Sequence, residues 1–233
     1  MMLPVALLAG GLATRLRPLT QTCPKSLVEV NGEPFIAHQL RLLKNKGVKK
    51  VVICTGFLGE MIEEYVQTGA QFGLDVTYSF DGEILLGTGG ALKKALPLLG
   101  DYFLVLYGDS YLDCDYEKVV DFFIHSDKQG LMTVFKNDKQ WDTSNVIFKH
   151  HEVIVYDKKQ LLPEMDHIDY GLGAFSANAF QAYPLNTFFD LAEVYQDLLK
   201  QQQLAGFEVM ERFYEMGSKA GLDALEQKLM KRT

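Results

Sequence analysis

Leu3-Pro4-Val5-Ala6-Leu7-Leu8-Ala9-Gly10-Gly11 is the stretch that decides the fold. A continuous apolar run that ends in glycines marks a parallel strand, buried on both faces, feeding a loop at its carboxyl end. Two more runs have this character: Val51-Val52-Ile53-Cys54 before Thr55-Gly56, and Phe103-Leu104-Val105-Leu106-Tyr107 before Gly108-Asp109. Between them lie patterns with helical spacing: Ile36, Leu40 and Leu43 after Pro34, then Met61, Ile62, Tyr65 and Val66, then the stretch 91–99. Val76, Tyr78 and Phe80 alternate and predict a further strand. Strand and helix thus take turns through the first half, which predicts an α/β fold with a mostly parallel central sheet covered by helices.

Past residue 128 the pattern changes to short alternating segments at 131–135, 145–148, 153–156 and 171–175, read as antiparallel strands or an extension of the same sheet. Leu191, Val194, Tyr195, Leu198 and Leu199 make a helical stripe, and 220–230 predicts a terminal helix. The 233 residues suffice for one large core and are few for two ordinary domains, and no repeat or Pro/Gly/Ser linker divides them. The expectation is one domain, 1–233, with a first half 1–128 and a β-rich second half 129–233.

Charge and cysteine usage narrow the partners. A net charge of −7 without any Lys/Arg cluster argues against a nucleic-acid backbone, which needs a basic face. Cys23, Cys54 and Cys114 are odd in number and far apart, so neither a disulfide framework nor a zinc site is indicated, and the compartment is read as reducing. Residues 1–8 lack a basic leader, and no apolar run approaches the ~18 residues of a membrane helix. A cytoplasmic protein with no membrane partner is expected.

The chemistry begins where the first strand ends, at Leu8-Ala9-Gly10-Gly11-Leu12-Ala13-Thr14-Arg15-Leu16-Arg17-Pro18-Leu19-Thr20. Glycines there let backbone N–H groups approach phosphate, and Arg15 offers a forked cation. Neither the P-loop pattern nor the dinucleotide fingerprint is present. Asp109 follows an apolar strand, and the carboxyl end of a parallel strand is where α/β proteins bind ligands, although a carboxylate there also caps helices.

Taken whole, this stretch resembles the signature loop of the sugar-phosphate nucleotidyltransferases, G-G-x-G-T-R-L-x-P-L-T, with Ala13 in place of the third glycine. Three further segments follow in the family's order. Cys23-Pro24-Lys25-Ser26-Leu27 resembles its phosphate-binding lysine segment, Leu86-Gly87-Thr88-Gly89-Gly90-Ala91-Leu92 its base-contacting segment, and Tyr107-Gly108-Asp109 its metal aspartate. The second half matches less closely. Tyr156-Asp157-Lys158-Lys159 stands where the family has Glu-Lys-Pro, Ile168-Asp169-Tyr170-Gly171 is similar to its sugar-binding turn, and Phe213-Tyr214-Glu215-Met216-Gly217 is similar to its late metal motif, with Glu215 for the usual Asp.

The resemblance implies a Rossmann-like fold of the glycosyltransferase-A type. It also implies an enzyme that joins a nucleoside triphosphate to a sugar 1-phosphate with Mg²⁺ and releases pyrophosphate. It assigns Arg15 and Lys25 to catalysis, and Leu8, Ala9, Gly10, Gly11, Thr14, Gly87, Thr88 and Gly89 to the nucleotide. Asn145, Asp157, Lys158, Asp169 and Gly171 fall to the sugar phosphate, and Asp109 with Glu215 to the metal. Likeness to the heptose 1-phosphate subgroup suggests GTP with a manno-heptose phosphate, but the glycines at 87–90 do not separate the bases.

Two other readings stand beside this one: a glycosyltransferase, from the D-x-D at Asp113-Cys114-Asp115, and a non-catalytic nucleotide-sugar-binding protein, from the departures at Ala13, Asp157 and Glu215. A transfer of this kind rests on positioning and charge neutralisation. Arg15→Ala is therefore expected to leave the fold intact and lower turnover by roughly two to three orders of magnitude, the range for losing one preorganised charge stabiliser. Pyrophosphate release near the wild-type rate in the folded variant would remove Arg15 from that role.

Overall fold

The computed structural model describes residues 2–11, 19–138 and 140–230. Four parallel strands form its centre: β1 (Val5–Leu8), β4 (Lys50–Thr55), β5 (Asp75–Phe80) and β6 (Tyr102–Tyr107). They lie in the order β5-β4-β1-β6, all in parallel register. The second half continues the same sheet. The long strand β11 (His167–Ser176) runs antiparallel beside β6, β8 (Gly130–Lys136) pairs with β11, and β12 (Leu204–Val209) pairs parallel with β8. The hairpin of β9 (Val146–Lys149) and β10 (Glu152–Tyr156) completes nine strands.

Each central strand sends alternate side chains to opposite faces, so every residue of the apolar runs finds a core. Val5 and Leu7 of β1, with Leu104 and Leu106 of β6, pack against α1 (Phe35–Asn45), α2 (Gly59–Val66) and α4 (Tyr116–His125). Ala6, Phe103 and Val105 pack against α3 (Gly87–Leu99) and α5 (Leu191–Lys200) on the other face. This three-layer arrangement is the α/β fold expected from the sequence. The β1-α1-β4-α2-β5 run grows to one side of β1, and α3 then carries the chain to β6 on the other. The chain therefore reverses its winding at β1, and a crevice outside the carboxyl ends of the strands follows from that reversal.

Several elements are additions to the sequence reading. The pairs β2 (Glu29–Val30) with β3 (Glu33–Pro34), and β7 (Ser110–Tyr111) with β13 (Tyr214–Glu215), are two residues per strand, too short to carry a period. Both α4 and β12 went unread. The terminal helix α6 (Lys219–Met230) packs on the β2–β3 side through Val30, Phe35, Met216 and Leu225. Helix α3 also starts earlier than the stretch 91–99, because Gly87–Gly90 form its first turn. None of the helices among the described residues is long and apolar enough to cross a membrane.

Backbone of the 187–190 segment lies directly on that first turn, where Gly89 N and Gly90 N both donate to Phe189 O. A Cβ at Gly90 would overlap the Thr187 carbonyl oxygen. Gly90→Ala is accordingly expected to lower the unfolding free energy by about 1–3 kcal/mol, the usual cost of forcing extra volume into packed structure. Denaturant unfolding measures it, and an unchanged midpoint would mean that 187–190 moves away freely.

Candidate active site

The crevice is a cleft of about 520 Å³ at the carboxyl ends of β5, β4, β1 and β6. Leu8, Ala9, Gly10 and Gly11 line its floor. Close backbone packing shapes this floor. Ala9 N donates to Cys54 O at 2.8 Å, Gly108 N donates to Leu8 O at 2.8 Å, and a Cβ at Gly108 would lie 2.7 Å from that same oxygen. Arg15 and Thr14 lie outside the described residues.

Lys25 and Asp109 meet across the cleft, with Lys25 Nζ 2.6 Å from Asp109 Oδ2. Lys25 opens a short 3-10 turn (Lys25–Leu27), and Asp109 sits just past β6, where Ser110 Oγ donates to its other oxygen at 3.2 Å. The loop carrying Asp109 is clamped from behind by a residue that sequence reasoning did not single out. Gln39, wholly buried on α1, donates through Nε2 to Tyr107 O at 3.0 Å and to Ser110 O at 2.7 Å. A fully polar amide on the core-facing stripe of an amphipathic helix was the available signal.

Glu215 arrives by its backbone. β13 pairs Glu215 opposite Ser110, and Met216 N donates to Asp109 O at 3.0 Å, so residues more than a hundred apart in sequence become neighbours. Its carboxylate folds onto its own turn, accepting from Gly217 N and, at 2.8 Å, from Ser218 Oγ. Among the described residues no group of three or more His, Cys, Asp or Glu side chains converges as a metal cage. A metal held here takes its remaining ligands from elsewhere.

At the other end of the cleft Gly87 and Thr88 are in the wall, whereas Gly89 turns its α-carbon toward the Phe189 ring. The Thr88 oxygen accepts from Leu191 N at 2.8 Å and ties α3 to α5. Asp81, just past β5, also faces this end and was missed. Its Oδ2 accepts from Leu86 N at 3.0 Å, and burial raises its pKa above the ordinary carboxylate value, opposed by that hydrogen bond and by Lys94. Cys54 beside it is pushed up to about 12, chiefly by burial, and stays a thiol.

The residues expected to hold a sugar phosphate form a second group along β11. Asn145 Oδ1 accepts from Asp169 N at 2.9 Å, and Asp169 accepts from Gly171 N at 3.0 Å and from Tyr156 Oη at 3.3 Å. Gly171 has φ +97°, a left-handed conformation that glycine alone adopts readily, at the irregularity where β11 breaks register with β8. Lys158 Nζ stands 5.7 Å from the centre of the Tyr107 ring, and Tyr107 lines the cleft, so this group borders the phosphate end. Burial raises the pKa of Asp169, with Lys158 pulling it back. Asp157 is turned away, accepting from Lys159 N at 2.7 Å and Gln160 N at 2.9 Å within its own turn.

The D-x-D segment is otherwise employed. Asp113 pairs with Lys46 at 2.9 Å, and Asp115 caps α4 by accepting from Lys118 N at 3.2 Å. Neither lines the cleft. That removes the observation on which the glycosyltransferase alternative rested.

Helices on both faces of one sheet, with a glycine-lined crevice and a lysine–aspartate pair in its wall, define an α/β protein with a cleft at its strand ends. Comparison makes the class specific. The family model for nucleotidyl transferases matches residues 5–150, and the chain belongs to that family. Among its relatives is the D-glycero-alpha-D-manno-heptose 1-phosphate guanylyltransferase of Campylobacter jejuni, 28% identical over 84% of this chain and 86% of the relative. Another is a UTP–glucose-1-phosphate uridylyltransferase of Synechocystis, 34% identical over 55% of this chain. There the match spans only 35% of the relative's length. The crystal structure of HddC from Yersinia pseudotuberculosis complexed with GMP-PN has the same fold, with a TM-score of 0.81 at 24% identity over 98% of this chain and 100% of that one.

The clamp behind Asp109 is open to a direct check. Gln39→Leu keeps much of the volume but withdraws both donated hydrogen bonds from buried carbonyls. It is expected to lower the unfolding free energy by about 1–3 kcal/mol, the cost of leaving buried polar groups unsatisfied. A denaturant midpoint equal to wild type would show that the loop finds other donors.

Proposed function

We propose that this chain condenses a nucleoside triphosphate with a sugar 1-phosphate, giving a nucleotide sugar and pyrophosphate. The observation that carries this reading is the Lys25–Asp109 pair set over the glycine floor of one cleft, in a chain of the nucleotidyl transferase family. The guanylyltransferase relative from Campylobacter, matched along most of both chains, favours GTP and a manno-heptose 1-phosphate as the first pair to try. The parts divide along the sequence, with nucleotide groups in 1–128 and sugar-phosphate groups in 129–233, inside one domain. The substrates call for a cytoplasmic protein, with no nucleic acid or membrane as partner.

In the reaction, a phosphate oxygen of the sugar 1-phosphate attacks the α-phosphorus and pyrophosphate leaves. The attacking oxygen is already ionised near neutral pH, so no general base is needed. Backbone N–H groups of Gly10 and Gly11 face the triphosphate, and Arg15 holds its leaving end. Lys25 draws charge from the α-phosphate as the transition state forms. On the sugar side Asp169 accepts from hydroxyls, held by Asn145, Tyr156 and Gly171 N, while Lys158 neutralises the sugar phosphate.

Members of this family generally use a divalent metal. Hard carboxylate oxygens with room for phosphate and water fit Mg²⁺, and Asp109 with Glu215 would hold it. When bound, such an ion neutralises phosphate charge. Gly217 N and Ser218 Oγ each occupy one lone pair of Glu215, and a further lone pair on each oxygen would serve the ion.

The test crosses GTP, UTP, CTP and dTTP with a panel of sugar 1-phosphates and follows pyrophosphate release. Turnover is expected with at least one pair, and none across the panel would remove the reading. With the active pair, Asp109→Asn and Glu215→Gln should each raise the Mg²⁺ concentration for half-maximal rate, since each removes an anionic ligand. An unchanged profile for Glu215→Gln would leave Glu215 as the residue that closes the 215–218 turn.

A further inference from the structure

The strand order fixes where a nucleotide's two ends lie. Lys25 and Asp109 mark the phosphate end, at β6, and Asp81 stands past β5, three strands away in the same cleft. At ~4.8 Å per strand that separation is roughly 14 Å, on the scale of one nucleoside. The wall at this end is apolar or small: Leu85, Ala91 and Phe188, with Gly87 between them. A flat ring fits between such surfaces, and Phe188, 68% exposed, has apolar surface still to cover. Among the described residues, Asp81 supplies the polar side-chain atoms there apart from Thr88 and the Cys54 thiol, and Thr88 is already an acceptor for Leu191 N.

We propose that Asp81 reads the base, and that its carboxylate selects guanine. This rests on the nucleotidyltransferase reading and adds the identity of the triphosphate. A carboxylate in its ionised form only accepts hydrogen bonds. Guanine alone presents two donors side by side, N1–H and the 2-amino group, on one edge. Uracil offers a single N–H flanked by two carbonyls, whose oxygens would press against the carboxylate. Cytosine and adenine each set a lone amino donor beside a ring acceptor. Asp81 Oδ2 is held by Leu86 N, which fixes the group's orientation without using up its acceptor capacity. A site built to pair with particular donors rejects a ligand lacking them, because its buried polar atoms are then left unpaired.

Binding of GTP, ITP, UTP and CTP to the full chain, measured by calorimetry, tests this. ITP is GTP without the 2-amino group. Wild type should bind GTP at least about tenfold more tightly than ITP, UTP or CTP, the scale of one lost hydrogen bond in a site built for it. In Asp81→Ala the GTP/ITP ratio should collapse toward one while UTP affinity stays within about twofold. The second comparison separates edge recognition from a loosened 81–86 loop, which would weaken all four ligands alike. A preference for UTP or CTP, an equal loss for every nucleotide, or a GTP/ITP ratio that survives the substitution would each overturn the assignment and leave the transferase reading intact. Binding of none of the four would overturn both.

Discussion

The pairing of Lys25 with Asp109 is the constraint on which the site depends. The two residues are 84 apart in sequence, and they meet beside the carboxyl ends of the adjacent strands β1 and β6. A partly exposed ion pair contributes little to stability, so its geometry must be imposed by its surroundings. Three attachments impose it. Gln39 fixes the carbonyls on both sides of Asp109, Met216 N holds the Asp109 carbonyl itself, and the 3-10 turn opened by Lys25 is seated against α1. The paired charges cancel, so an anionic ligand that draws Lys25 toward itself leaves a carboxylate oxygen of Asp109 unpaired. Anion and cation binding in this cleft are therefore coupled through one contact.

The same dependence explains what the sequence made legible. Apolar runs are long-range signals in local form, since a strand buried on both faces has to be apolar at every position. Strands β1, β4 and β6 could be read directly, and with them the edge of the sheet where ligands bind. Asp109 was legible because it directly follows such a run. The second half was legible as strands but not as an order of strands, because β11 takes its place beside β6 through pairings that no local pattern encodes. β12 was missed for a related reason: Gly206 lies in its middle, where a Cβ would crowd the Phe148 ring, so packing removed the side chain that would have marked the period.

Glycine content shows where motif and geometry part. Gly87 and Gly89 were expected to contact the nucleotide, yet both, with the neighbouring Gly90, also make room for the chain itself. Gly87 lines the cleft and, like Gly89 and Gly90, also receives the 187–190 segment, since a Cβ at Gly87 would lie 2.6 Å from Phe189 O. A glycine is required wherever another group comes close, and the sequence does not say whether that group is a ligand or the chain itself. Position 187–190 matters in turn because it sets Phe188 at the cleft mouth and starts α5 with the Asp190–Glu193 capping box.

Carboxylates divide by the same test, which is what remains for each oxygen once its neighbours are satisfied. Asp113 and Asp115 form a motif on paper, but one is held by Lys46 and the other by the first turn of α4. Asp157 and Glu215 were carried over from family motifs, and donors of their own turns orient both: the two bonds to Asp157 fall on Oδ1, whereas Glu215 takes Gly217 N on one oxygen and Ser218 Oγ on the other. Asp169 sits between: its two oxygens have donors, but Tyr156 Oη at 3.3 Å is a long contact, and a sugar hydroxyl offers a better one. Asp81 belongs to no motif, and among the described residues only Leu86 N donates to its carboxylate, which leaves acceptor capacity in the wall of the cleft. Residue type places a carboxylate among candidates; its place in the cleft wall and the donors already around it together decide whether it waits for a ligand.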